Sequence, residues 1–225
     1  MTDPTPPSWA PVADLIARAP FPVEVLPPSP DAAVEAETLR LGAGSTLGEV
    51  VLRTGGILLD HGWVRLLGSG SDRLRRSLMS WNVDQGVLGA GKRAGLLIVG
   101  DDVLGGIFAI NGGALGVDPG MVYYFGPDTL RWDSLNCDYT ALLHFLIGPG
   151  MAAFYSDHRW TGWEAETDAL AGDGAHFIHP PLWAVGPEVA GRHRGAVPMT
   201  EMLATHARAL PELQKQSPVL FPSLA

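Results

Sequence analysis

The sequence predicts an α+β fold: one domain over residues 9–225, with a central, mainly antiparallel sheet of about six strands at about 55–133 and helices before and after it. Three observations carry this expectation. Apolar residues recur at helical spacing behind Ser, Thr, Asp or Asn residues both before residue 54 and over about 136–210. Between these stretches, short apolar runs alternate with Gly-, Asp- and Asn-bearing turns, and connections this short join antiparallel strands. Finally, 28 Gly and 19 Pro accompany 46% apolar and only 17% charged residues. That is too much hydrophobic material for a disordered chain and calls for a folded one with frequent sharp turns.

The elements follow in order. Residues 1–8 read as a flexible leader. Ser8 can cap a helix carrying Trp9, Val12, Leu15 and Ile16 on one face. FPVEVLPPSP gives a short strand and a proline stop, and Asp31 can cap a second helix through Leu39. Thr46 and Glu49 have capping-box spacing, which opens a helix over LGEVVLRT that Gly55 and Gly56 end. GGILLDHGWVRLLGSG then reads as strand, turn, strand, with Asp60-His61-Gly62 as the turn. Residues 69–94 form a polar connection containing a helical stretch, DRLRRSLMSWN.

GLLIVGDDVLGGIFAINGG is a strand, a turn near Asp101 and Asp102, and a second strand. GMVYYFGPDTLRWDSL is a further hairpin turning at Gly126-Pro127-Asp128. Asn136 or Asp138 can cap a helix over YTALLHFLI, which Gly148-Pro149-Gly150 ends. GMAAFYSDHRW is helical, and Thr161 with Glu164 can box a helix over WEAETDAL. HFIHPPLW is a short extended piece, and VPMTEMLATHARA is a last helix with Pro198 near its first turn.

Composition bounds function. One cysteine, Cys137, allows no intramolecular disulfide or zinc ribbon and suits a reducing cytoplasm. No basic region precedes an apolar leader, and no run approaches the ~18 apolar residues of a spanning helix, so no membrane association is expected. A net charge of −9 argues against nucleic acid and suits a basic protein partner. No cofactor is expected: the glycines after Asn111 lead into a strand rather than a phosphate-binding helix. His176 and His179 form an HxxH without an HExxH helix or a cysteine, so no metal site is expected.

Two turns hold residue types that chemistry uses. Asp60 beside His61 could orient a general base, with Arg65 as an anion clamp and Trp63 as a wall, although neighbours on a strand point to opposite faces. Asp101 and Asp102 could share a proton or a cation, yet adjacent aspartates before Gly105-Gly106 read first as turn formers. If a cleft exists there, an Asp101 or Asp102 carboxylate must reach His61 or Arg65 beside an open pocket. Ser69 and Ser71 beside Arg73, Arg75 and Arg76 form a basic patch, read as a solvated helix face that could also meet an acidic partner or phosphate. Arg159, Trp160 and Trp163 either pin helices to the sheet or line a recognition groove.

GGILLDHGWVRLLGSG, LLIVGDDVLGGIFAINGG, MVYYFGPDTLRWDSL and RWTGWEAE resemble successive blocks of an uncharacterised bacterial family, domain of unknown function 2625, from about Trp9 to about Glu201. Residues Leu97 to Ile147 are similar, more weakly, to the SUKH superfamily, which includes bacterial toxin-immunity proteins and regulators of yeast cell-wall synthesis. That second resemblance implies an α+β sheet with flanking helices and a protein-binding role, and carries over no catalytic residues. The Trp-rich segment after Gly148 has no counterpart in the short SUKH domains. The expected function is therefore a non-enzymatic cytoplasmic module that binds a protein, of immunity or regulatory type. A small-ligand or hydrolase-like cleft at Asp60-His61 and Asp101-Asp102, or a homo-oligomeric structural role, are the alternatives.

Overall fold

The computed structural model describes residues 9–42, 44–89 and 94–209. The expected leader and its Ser8 cap lie outside them. Seven strands form one open antiparallel sheet in chain order: β1 (Val23–Leu26), β2 (Gly56–Leu59), β3 (Val64–Leu67), β4 (Leu96–Asp102), β5 (Ile107–Asn111), β6 (Val122–Gly126) and β7 (Arg131–Ser134). The six strands expected between residues 55 and 133 are β2 to β7. The seventh is the FPVEV strand, which reaches past two helices to pair with β2, Val23 opposite Leu59.

Helices α1 (Trp9–Ala17), α2 (Ala32–Thr38) and α3 (Thr46–Arg53) flank β1, and α4 (Leu78–Asp84) lies between β3 and β4. After the sheet come α5 (Tyr139–Ile147), α6 (Gly150–Phe154), a 3-10 turn at Ser156–His158, and α7 (Trp163–Asp168). A second, two-stranded sheet follows, β8 (Gly174–His179) with β9 (His193–Pro198), and α8 (Met199–Ala209) packs on both of its strands. The extended HFIHPPLW segment supplies β8. The strand β9 has no counterpart in the sequence reading, because HRGAVP is mostly polar or small and carries no alternation strong enough to reveal it.

Several caps differ from expectation. Ser45, not Thr46, caps α3 by accepting from Gly48 N at 3.1 Å, and Glu49 pairs with Arg53 one turn on. Asp31 precedes α2 without a side-chain cap bond, and α7 starts from Gly162 at φ 82° rather than from a Thr161 box. The 72–82 helix begins only at Leu78, where Ser77 and Ser80 form a reciprocal capping box. Asp138 caps α5 as read, accepting from Ala141 N at 2.8 Å.

The strands β2 and β3 are buried at every position, so layers cover both faces of the sheet there. Their apolar runs, GILL and VRLL, are continuous rather than alternating for that reason. Between β4 and β5 the register slips near Ile98 and Gly100, and on the other side β3 pairs with β4 only from Gly100 onward. Asn82 of α4 fills the missing strand: its Oδ1 accepts from Ile98 N at 2.8 Å and its Nδ2 donates to Ile98 O at 2.8 Å. The side chain is fully buried, so nothing else stands ready to satisfy those groups. Asn82→Ala is expected to lower stability by about 1–3 kcal/mol for each peptide group left bare. Urea unfolding should show a lower midpoint at an unchanged m-value.

Candidate functional site

The Asp60-His61-Gly62 turn has three consecutive left-handed residues, φ 50°, 61° and 79°. That geometry turns the Asp60 and His61 side chains to different partners. The Asp60 carboxylate lies 2.7 Å from Arg159 Nη2, and His61 Nδ1 lies 2.8 Å from Asp168 Oδ2 of α7. They do not form a pair with each other. Trp63, fully buried, immediately precedes β3 and meets Tyr155 at 5.7 Å, Trp160 at 5.7 Å and Trp163 at 5.0 Å between ring centroids. Above it the Arg159 guanidinium lies 4.1 Å from the Trp163 ring centre and 5.1 Å from that of Trp63. This is a filled aromatic cage whose cation is the protein's own.

Arg65 stands directly opposite Asp101 in the β3–β4 register. Asp101 and Asp102 are therefore the last residues of β4, both buried, and the turn lies beyond them at 103–106. The turn-former reading holds for Asp102, whose carboxylate and backbone shape that turn, and is corrected for Asp101, which faces Arg65 inside the sheet. One carboxylate serves two guanidiniums: Arg65 Nε lies 2.8 Å from Asp101 Oδ1, and Arg76 Nη1 contacts Asp101 Oδ2. The same guanidiniums reach the segment before β8. Arg65 donates to the carbonyls of Gly172, Gly174 and Asp102, and Arg76 to Gly172 O and to Asp173, at 2.8 Å from Nε. Burial pulls Arg65 below its ordinary value against the opposing field of Asp101; Arg76 is buried too, yet Asp101 and Asp173 hold it above its ordinary value. The expectation of a solvated helix face fails for Arg76. It lies instead in the interior, before α4 begins, while Arg73 pairs at the surface with Glu24.

Asp102 accepts four hydrogen bonds: from Leu104 N (2.8 Å), Gly106 N (2.9 Å), Tyr124 Oη (2.6 Å) and Tyr155 Oη (2.9 Å). Burial pushes its carboxyl up, and the four donors oppose that shift. Burial also lifts both phenols well above their ordinary range, so they stay protonated donors. Gly106 is required by closeness: a Cβ there would lie 2.1 Å from Asp102 Oδ2 and 2.2 Å from Tyr124 Oη.

All nine residues singled out from sequence (Asp60, His61, Trp63, Arg65, Asp101, Asp102, Arg159, Trp160 and Trp163) therefore join one continuous cluster. An Asp101 carboxylate does reach Arg65, but the adjoining cavity, lined by His61, Gly62, Arg65 and Gly172, measures about 10 Å³, the space of a single water. A larger polar cleft of about 470 Å³ lies to one side, lined by Asp128, Asp157, His158, Arg159, Glu188 and Arg192. Sequence reasoning missed Tyr124, Tyr155 and Asp173, which come from separate elements. Only the pairing of a buried strand arginine with buried aspartates could have signalled that partners were needed.

Among the described residues no group of three His, Cys, Asp or Glu side chains could hold a metal ion. Asn111 shapes the Gly-rich loop by accepting from Gly113 N at 2.7 Å and Leu115 N at 3.0 Å. Burial, then Asp138, pushes the Cys137 thiol up, away from nucleophilic use. His176 sits under Trp160 at 5.1 Å and His206 between Phe125 and Trp183; burial pushes both down to about 4. No described helix is long and apolar enough to cross a membrane.

Fold and site together define an open seven-stranded antiparallel α+β protein whose polar centre is internal. The chain belongs to the family described as "Protein of unknown function DUF2625", whose model matches residues 1–202. It is 36% identical over 183 residues to an "Uncharacterized protein" of Haemophilus influenzae, covering 81% of this chain and 80% of that one. It is 38% identical over 196 residues to "Putative uncharacterized protein YbfG" of Escherichia coli, covering 87% and 88% respectively. No solved structure matches.

Two outcomes test the buried cluster. Asp101→Asn leaves two buried guanidiniums without their shared carboxylate and is expected to destabilise by about 3–5 kcal/mol in chemical denaturation. The histidines set a pH dependence. In the folded protein His176 and His206 stay neutral down to about pH 4, whereas the unfolded chain protonates them below its ordinary value of 6.5. Between those limits the unfolded state binds more protons, so their contribution to stability falls as pH drops from 6.5 toward 4. Asp102 and Glu35, whose carboxyls burial raises, act in the opposite direction. The comparison is therefore with His176→Gln and His206→Gln, each of which should lose less stability on acidification than the parent.

Proposed function

We propose that the protein is a non-enzymatic, cytoplasmic protein-binding module of immunity or regulatory type, directed at a basic partner. The observation that carries this reading is the mutual engagement of its chemically versatile residues. Asp101 is divided between Arg65 and Arg76, Asp102 is saturated by four donors, and Asp60 holds Arg159. Groups so committed brace a surface rather than act on a substrate. The net charge of −9 suits a cationic partner through electrostatic steering. Of the nine clustered residues, His61 and Arg159 keep part of their side chains in solvent and are the members a partner would reach first. The weaker SUKH resemblance, with its toxin-immunity members, points the same way.

A second reading, small-ligand binding, draws on the 470 Å³ cleft, because Arg159 belongs to both the cluster and the cleft wall. Affinity purification of the tagged protein from its native host, at low and high salt, separates the two. A single stoichiometric protein of high isoelectric point, released as salt rises, is expected. Recovery of the bait alone at both ionic strengths would refute the protein-binding reading.

A further inference from the structure

The two edges of the seven-stranded sheet differ. The strand β1 is bracketed by Pro22 and by Pro27-Pro28, and its Glu24 is held by Arg73. Prolines of this kind blunt an edge against further pairing. The strand β7, Arg131-Trp132-Asp133-Ser134, contains neither Pro nor Lys and alternates exposed and half-buried residues. It is the opposite edge of the sheet.

The direction of its free peptide groups follows from the ladder. Asn111 N donates to Met121 O at 2.8 Å, so positions 121, 123 and 125 of the β6 segment bond toward β5, and 122, 124 and 126 toward β7. Leu135 N donates to Val122 O at 2.9 Å, and Tyr124 and Gly126 stand opposite Asp133 and Arg131. Residues 131, 133 and 135 therefore bond inward, and the peptide groups of Trp132 and Ser134 point out of the sheet. The Trp132 ring is anchored on Phe125 at 5.5 Å. Arg131 and Asp133 project together from the other face, both exposed and without an ion pair among the described residues.

We propose that β7 is a self-association edge that pairs antiparallel with β7 of a second copy. The outward peptide groups allow two symmetric registers within this strand, Trp132 opposite Trp132 or Trp132 opposite Ser134; the second sets Asp133 against Asp133, and like-charge repulsion disfavours it. In the first, Trp132 meets Trp132 of the second copy as a hydrogen-bonded pair on the two-fold axis. Arg131 then lies opposite Asp133 of the second copy, and Asp133 opposite its Arg131. Both are non-hydrogen-bonded positions, where facing Cα atoms come within about 4.5 Å. Two cross-strand ion pairs form from one self-complementary sequence, and the sheet runs on through both copies. Charge complementarity with itself is what selects a second copy over a foreign strand. A four-residue edge is small beside a standard interface, so the dimer is concentration-dependent. The inference stands apart from the foreign-partner reading, since it uses a different surface and needs no second gene product.

Sedimentation velocity of the full chain across a concentration series tests it. The parent should pass from monomer to dimer, with weaker association at high salt. Arg131→Asp alone and Asp133→Arg alone should each weaken self-association by at least about tenfold, since like charges then face each other. An equimolar mixture of these two variants should form a heterodimer, and the double variant R131D/D133R should dimerise like the parent. Both positions are exposed, and an unchanged far-UV circular dichroism spectrum verifies the fold. A parent that stays monomeric throughout, single variants that dimerise as tightly as the parent, or a mixture that fails to associate would each overturn the proposal.

Discussion

Everything around the centre of this protein depends on one buried carboxylate shared by two arginines. Asp101 sits at the end of a central strand with almost no solvent exposure, and so does Arg65 opposite it. A charge in that position survives only if it is neutralised and its remaining hydrogen-bonding groups are satisfied. The structure meets both conditions by drawing in distant chain. Arg76 arrives from the loop before α4, and the Gly172–Gly174 segment supplies carbonyls to both guanidiniums. The ion pair thereby fixes where the second sheet meets the first. Its backbone continues the attachment: His176 N donates to Val103 O at 2.7 Å, one residue past Asp102.

The neighbouring groups extend the same closure. Asp102 gathers the turn after β4 together with Tyr124 from β6 and Tyr155 from beyond α6. Tyr155 touches Trp63, which touches Trp160 and Trp163, and Arg159 covers two of those rings while holding Asp60. Salt bridges alone would be weak evidence for stability, since desolvation offsets much of the attraction. Here Asp102 and Arg159 lie against a continuous aromatic packing, and specificity of docking follows from the geometry of their bonds. Burial holds the histidines at the same junction neutral at pH 7, so their contribution to stability is lost on acidification.

Much of the sheet was legible because its strands are short, apolar and divided by turns whose chemistry is local. Asp60-His61-Gly62 and Gly126-Pro127-Asp128 needed no long-range knowledge. The site was legible in a different sense. The residue types that attract attention, an Asp–His turn, paired aspartates, arginines and tryptophans, do converge. Their role was not legible, because an aspartate before glycines looks alike whether it caps a turn or ends a buried strand. What decides is the partner, and Arg65 supplies it from 36 residues earlier in the chain, where VRLL reads only as an apolar run with one charge. Arg76 shows the converse: in a run of three arginines it is the one drawn inside, by Asp101 and Asp173. The strand β9 escaped notice because its pairing with β8, rather than its own pattern, makes it a strand.

The central claim is that the Asp101 ion-pair centre holds the β8–β9 unit on the main sheet. Residue-resolved amide hydrogen exchange of the parent and an Arg76→Leu variant tests it most directly. The account predicts that protection falls selectively over residues 172–179 and 193–198, while β5 and β6 keep theirs. Loss spread evenly over both sheets, or unchanged protection at β8 and β9, would contradict it.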